Sequence, residues 1–264
     1  MEAPALYLRE GDGYVGTELI QGGWDTAAAN GGAVLTLLGQ VLDEVPTLVP
    51  MLVSRFTADL VRPVPMGRRM HVRHEVVREG KKIQLVELRL EVDGVDHVRA
   101  SALRLREEAF EPGELPASTT AERPVDALTP VDDLPRILPR VAGFAGFLHG
   151  VDMRKSLRRD GRAGTWVRLA ADVVAGEPTS PTARMACAFD FANLIGIEAE
   201  MVGVTMINPD VTTQILRPST GEWIAVTGDT RFSPASGRGV SAATLSDADG
   251  VFAVATTSQL IQRR

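Results

Sequence analysis

Phe56-Thr57-Ala58-Asp59-Leu60-Val61-Arg62-Pro63 and Val211-Thr212-Thr213-Gln214-Ile215-Leu216-Arg217-Pro218 decide how this chain folds, because they are two versions of one phrase. The Arg-Pro steps lie 155 residues apart, and the Asp-Gly steps further on, Asp93-Gly94 and Asp249-Gly250, lie 156 apart. Weak self-similarity at a fixed offset is the mark of one structural unit used twice.

The residues after each phrase read as antiparallel sheet. Positions 70–77 and 83–92 alternate or cluster Val, Ile and Leu with charged residues, and Gly80 and Asp93-Gly94 stand where hairpin turns belong. Ahead of each meander lies a stretch of helical character: Gly31 to Glu44 (GGAVLTLLGQVLDE) in the first half and about Ala183 to Ile195 (ARMACAFDFANLI) in the second. Leu35, Leu38, Val41, Leu42 and Val45 recur at helical spacing. Each unit is therefore expected to be one apolar helix followed by a sheet. Between the units, residues 107–140 hold six prolines, at 112, 116, 124, 130, 135 and 139. Each proline removes a backbone donor and restricts its predecessor, so regular helix or central strand is excluded over most of that length. The expected organisation is a first unit at 1–106, a linker at 107–140 and a second unit at 141–264.

Composition narrows the chemistry. Of 264 residues 44% are hydrophobic and 23% charged, the balance of a globular chain with a sizeable core. No run approaches the roughly 18 apolar residues of a membrane span, and the acidic start MEAPALYLREGDGY is unlike a secretory leader, so a cytoplasmic protein is expected. The net charge of -6 offers no basic excess for a phosphate backbone, which argues against nucleic acid as a partner. One cysteine, Cys187, and four scattered histidines give little for a metal, and none is expected. No Gly-x-Ser-x-Gly elbow and no Gly-x-Gly-x-x-Gly after an opening strand appear, so a serine hydrolase of the α/β type and a dinucleotide site are unsupported, and no cofactor is expected.

Asp190 sits within Ala186-Cys187-Ala188-Phe189-Asp190-Phe191-Ala192-Asn193, where a carboxylate must be desolvated or open to a cleft. Burying it without a partner would cost several kcal/mol, so something has to compensate. The first-half helix has no equivalent: it carries Thr36 and Gln40, with Asp43 and Glu44 only at its end, and one working site per chain is expected. The Gly31-Gly32 step opens a helix whose first amides are unpaired, and the lack of side chains lets another group come close. Those glycines serve either a ligand carbonyl or tight packing. Asp25 and Asn30 precede the helix, where capping is the ordinary role. Arg62 and Arg217 read as strand-end ion-pair partners.

Taken together, the Asn30-Gly31-Gly32-Ala33 helix start, the Leu-Val-Arg-Pro and Ile-Leu-Arg-Pro strands, Gly221-Glu222-Trp223 and the closing strand Ala255-Thr256-Thr257-Ser258-Gln259 resemble the type II acyl-CoA thioesterase family and its thioesterase-like relatives. The resemblance runs from about residue 15 to the C-terminus, the linker excepted. It implies an α+β double hot-dog fold, two tandem repeats each with an antiparallel sheet wrapped round a central helix. It also implies hydrolysis of an acyl-CoA, a place in lipid metabolism, and the possibility of a homodimer. By that resemblance Asp190 orients and deprotonates the attacking water, and Gln259 pairs with it from the last strand. The spacing from Asp249-Gly250 to Gln259 is one residue longer than the family pattern, and a slip of one turns a strand side chain to the other face, which makes Ser258 the alternative. The family's third polar residue, a threonine, falls at Asn208, a departure; Thr205, Thr212 and Thr213 are neighbours of the expected type. Substrate contacts are thus expected from Gly31, Gly32, Thr212 and Ser258. The alternatives are a non-catalytic acyl-binding protein and, since Asn208-Pro209-Asp210 lacks the following histidine of that class, less readily an enoyl-CoA hydratase.

Overall fold

The alternating segments of the first half become long paired strands. The computed structural model describes residues 4–23, 25–111, 113–116, 130–137, 146–155, 163–194 and 203–263. In chain order the first half gives β1 (Ala5–Glu10), β2 (Gly13–Gly16), helix α1 (Gly31–Glu44), β3 (Met51–Leu60), β4 (Arg69–Arg78), β5 (Ile83–Val92) and β6 (Val95–Arg106). The second gives α2 (Phe147–Gly150), β7 (Val151–Lys155), β8 (Ala163–Leu169), β9 (Asp172–Val174) and α3 (Pro181–Ala186). A tight helical turn at Asp190–Leu194 comes next, and then β10 (Val204–Ile207), β11 (Asp210–Ile215), β12 (Ile224–Ser233), β13 (Arg238–Asp247) and β14 (Gly250–Arg263). Sequence reasoning did not foresee β1, β2, β7 or β9, which are short or lie beside glycines.

The strands form one sheet in the order β7-β8-β12-β13-β14-β11-β3-β6-β5-β4-β2-β1-β9, with β10 also paired to β14. From the β11–β3 seam outward the two wings mirror each other: β14, β13, β12, β8, β7 on one side, and β6, β5, β4, β2, β1 on the other. At the seam Thr57 stands opposite Thr212, and their hydroxyls are 3.3 Å apart. The β5–β6 hairpin turns at Asp93-Gly94, both with positive φ (52° and 76°), as the Asp-Gly pair predicts. Beyond the far edge, β9 pairs parallel with β1 and ties second-half chain to the first wing.

Helix α1 is buried from Gly32 to Leu42, including Thr36 and Gln40, so it is covered on all sides. It packs against α3 at Gly39, where a β-carbon would come within 3.0 Å of the Ala183 backbone. Asn30 caps its start by accepting from the Gly32 amide at 2.8 Å. Buried Arg104 closes its end, donating to the carbonyl oxygens of Leu42 and Val45.

The second helical stretch departs from expectation. Rather than one helix over 183–195, α3 ends at Ala186, Cys187–Phe189 form a turn, and a tight helical turn begins at Asp190; residue 195 lies outside the described residues. The break coincides with the one carboxylate in this apolar stretch, and it leaves that carboxylate beside donors of two other elements instead of along a continuous helix side. Arg217 forks onto fully buried Asp247 with two bonds of 2.7 Å, whereas Arg62 donates to the Asp96 carbonyl. The described parts of the proline-rich stretch contain one helical turn, Val131–Asp133, and a single bridge of Arg136 to Arg154. Leu134 anchors this stretch against Trp166 and Ala225.

Candidate active site

Asp190 is 9% exposed, and its two carboxylate oxygens accept from two different elements. Oδ2 accepts from the Gly32 amide at 3.1 Å, in the first turn of α1. Oδ1 accepts from the Asn208 carboxamide nitrogen at 2.5 Å, at the break between β10 and β11. A carboxylate at the positive end of a fourteen-residue helix gains about 0.3–1 kcal/mol, and up to about 2 when partly buried, from the aligned peptide dipoles. Burial raises the Asp190 pKa above the ordinary carboxylate value, while the bonds from Asn208 and Gly32 pull against that rise. The result is a desolvated, oriented carboxylate with a raised proton affinity, which is what a general base needs.

The two glycines have a concrete reason. A β-carbon on Gly31 would stand 3.1 Å from Asp190 Oδ1, and one on Gly32 would stand 2.7 Å from the Phe147 ring, which stacks on Phe191 with centroids 6.2 Å apart. Side chains at 31 and 32 would therefore push away the carboxylate and the Phe147 ring. The Gly32 amide, expected to face a substrate oxygen, is shared between Asn30 and Asp190.

Gln259 is 3% exposed and faces the interior, while Ser258 on the same strand is exposed. The side-chain register on β14 therefore turns Gln259, not Ser258, toward the interior, where the Asp190–Leu194 turn packs against the strand. The extra residue is absorbed by a register shift between Leu245 and Ser246. The β10–β14 ladder ends with Ile207 opposite Leu260, one residue short of both Asn208 and Gln259. The Ser258 amide donates to Asp210 at 2.8 Å. Thr212 alternates with buried Val211 and Thr213, so it too lies on the outer face, against Thr57. The structure thus brings Asp190, Asn208, Gly31 and Gly32 into contact, buries Gln259 on the inner face of β14, and places Thr212 and Ser258 on the other side of the sheet.

Two positions were missed in the sequence. Ser241 on β13 accepts from the Gln259 carboxamide nitrogen at 2.5 Å and its own hydroxyl lies 2.7 Å from that of Thr230. Gly239, paired with Gln259, makes room for it, since a β-carbon there would be 2.7 Å from Gln259 Oε1. The alternation of β13 could have put both on the inner face; their pairing with Gln259 needed the register. Among the described residues no group of three or more His, Cys, Asp or Glu is placed to hold a metal ion.

Family models for the acyl-CoA thioesterase N-terminal domain and the acyl-CoA thioesterase C-terminal domain match residues 20–105 and 112–262, so the chain belongs to the acyl-CoA thioesterase family. The fold is of the hot-dog class. A Novosphingobium aromaticivorans protein assigned as a thioesterase superposes with a TM-score of 0.71 at 23% identity, over 97% of this chain and 98% of its own. A hot-dog protein of unknown function from Alicyclobacillus acidocaldarius gives 0.68 at 15%, over 98% and 96%. Acyl-CoA thioesterase II TesB2 from Mycobacterium marinum gives 0.62 at 15%, over 98% and 96%. No curated protein matches the chain. No helix among the described residues is long and apolar enough to cross a membrane.

Proposed function

We propose that this chain hydrolyses an acyl-CoA thioester to the free acid and coenzyme A at Asp190, with Asn208 and Gln259 positioning the water. The observation that carries the reading is the buried Asp190 carboxylate, held by the Gly32 amide and the Asn208 carboxamide, with Asn208 and Gln259 each one residue beyond the last β10–β14 pair. Water attacks the thioester carbonyl carbon as Asp190 takes one of its protons. The carbonyl oxygen becomes the oxyanion of a tetrahedral intermediate, and amide donors of the α1 start, Gly31 foremost because Gly32 serves Asp190, stabilise it. Collapse breaks the carbon–sulfur bond, and the thiolate recovers the proton from Asp190. Asn208 and Gln259 donate and accept hydrogen bonds without titrating, so they hold the water at any pH at which Asp190 is ionised.

The mirrored strand order about the Thr57–Thr212 seam supports two tandem hot-dog units, at 1–106 and 141–264 with a linker at 107–140, each contributing one helix. The reaction is tested by thiol release over a panel of acyl-CoAs, on wild type and Asp190→Ala together. Release by wild type that survives a chelator and collapses in the variant is the expected result. Binding of acyl-CoA with no thiol released would select a non-catalytic acyl-binding protein, and full activity in the variant would remove Asp190 from the mechanism.

A further inference from the structure

The seam defines which residues correspond. Thr57 and Thr212 pair with Ser101 and Thr256, so residues 155 apart are equivalent along these strands. By that rule Gln259 corresponds to Arg104, Asn208 to Val53 and Gly239 to Gln84. The registers agree: Leu52 opposite Leu105 matches Ile207 opposite Leu260, and the irregularity after Val53 falls where β10 breaks from β11. The helix starts correspond as well. Asp190 accepts from the Gly32 amide at 3.1 Å, and Asp43 accepts from the Thr182 amide at 2.8 Å, each carboxylate reaching the helix start of the other half.

Asp43, Thr182, Val53 and Arg104 all line one open cavity of about 240 Å³, together with apolar Met51 and Met185. Its chemistry has been altered at each point that hydrolysis requires. Asp43 also accepts from the Thr182 hydroxyl at 2.7 Å and stands 3.6 Å from the Arg104 guanidinium, so it faces a cation where Asp190 faces the neutral Asn208 carboxamide. Val53 has no group to hold a water where the other half has Asn208. Arg104, 4% exposed, spends its donors on Leu42, Val45 and Gln84.

We propose that this cavity is the second-half site's counterpart and a second acyl-CoA site, one that takes the acyl end of the ligand against Met51, Val53 and Met185 without cleaving it. The inference rests on the proposed reaction, from which it takes its ligand class. The test uses Asp190→Asn, which holds the first site uncleaving, and a non-hydrolysable short-chain acyl-CoA thioether titrated by calorimetry. Two equivalents per chain are expected, falling to one in Asp190→Asn combined with Val53→Trp or, separately, with Met51→Trp. Each filling substitution alone is also made in the wild-type background, where retained thiol release shows that the fold and the first site survive. One equivalent in Asp190→Asn, or two that persist when the cavity is filled in a chain shown to be folded, would overturn the proposal. Absence of thiol release by wild type together with no thioether binding would instead bring down the proposed reaction itself, so the two failures are told apart.

Discussion

Asn208 donates to Asp190 at 2.5 Å, and this bond joins the β10–β11 break to the tight helical turn beyond α3. Because it favours the ionised carboxylate, it works against the burial that raises the Asp190 pKa. Asn208→Leu removes that support, so the acid limb of the rate profile moves to higher pH and thiol release at neutral pH falls. Asn208→Thr restores a hydrogen-bonding side chain and retains activity. Profiles of kcat/KM against pH for the three proteins check this; an unmoved limb in the leucine variant would contradict it.

Asp190→Asn separates catalysis from stability. Thiol release should fall by about 10²–10⁴-fold with loss of the base. Stability moves the other way. The folded-state pKa of Asp190 lies above its unfolded value, so the native protein keeps a proton that the unfolded chain has already released. Wild-type stability from this group therefore declines as pH rises from the unfolded pKa through the folded one and stays low above it. The variant lacks that decline, so its Tm gains on wild type between acidic and neutral pH. Thermal melts across that range measure the difference, and parallel curves would refute it.

Gln259→Ala should lower kcat by about 10²-fold, the usual effect of removing one donor from a polar reaction centre. Ser258→Ala, one residue away on the exposed face of β14, should leave the rate unchanged. Steady-state kinetics on the pair test the register directly, since the reverse outcome would mean that the strand presents Ser258.

Arg217→Ala strips the fork from fully buried Asp247. Leaving that carboxylate with only the amides of Thr220 and Asp249 should cost about 2–4 kcal/mol, discounted for the partial exposure of the arginine. Burial alone would raise the Asp247 pKa, but the Arg217 fork and the two amides outweigh it and hold the group below the ordinary carboxylate value. Its contribution is present above the unfolded pKa and is lost as pH falls through the folded one. Denaturant unfolding should show wild type losing its advantage over Arg217→Ala in acid.

Much of this molecule could be read from its residues. The duplicated Arg-Pro and Asp-Gly steps located both wings, because β-hairpins depend on local turn chemistry and short-range alternation. Asp190 stood out because a lone carboxylate among Ala, Cys and Phe is costly to bury. The break after Ala186 was hidden, since nothing in the residue types distinguishes a continuous apolar helix from one interrupted to satisfy a carboxylate through Gly32 and Asn208, which are 158 and 18 residues away. The face of Gln259 was equally hidden, because an extra residue in β14 at Phe252, unpaired between the Leu245–Ala253 and Ser246–Val251 pairs, settles it. The reason for Gly31 and Gly32 lay in Asp190 and Phe147, which approach only in three dimensions.

Thr57 meeting Thr212 across the middle of the sheet has a consequence for how such a protein changes over time. Two identical subunits facing one another at that position would share every mutation, and any loss at one catalytic centre would be inherited by both. Once both faces are carried on a single polypeptide, arginine can occupy position 104 while glutamine persists at 259, and each centre is free to diverge on its own.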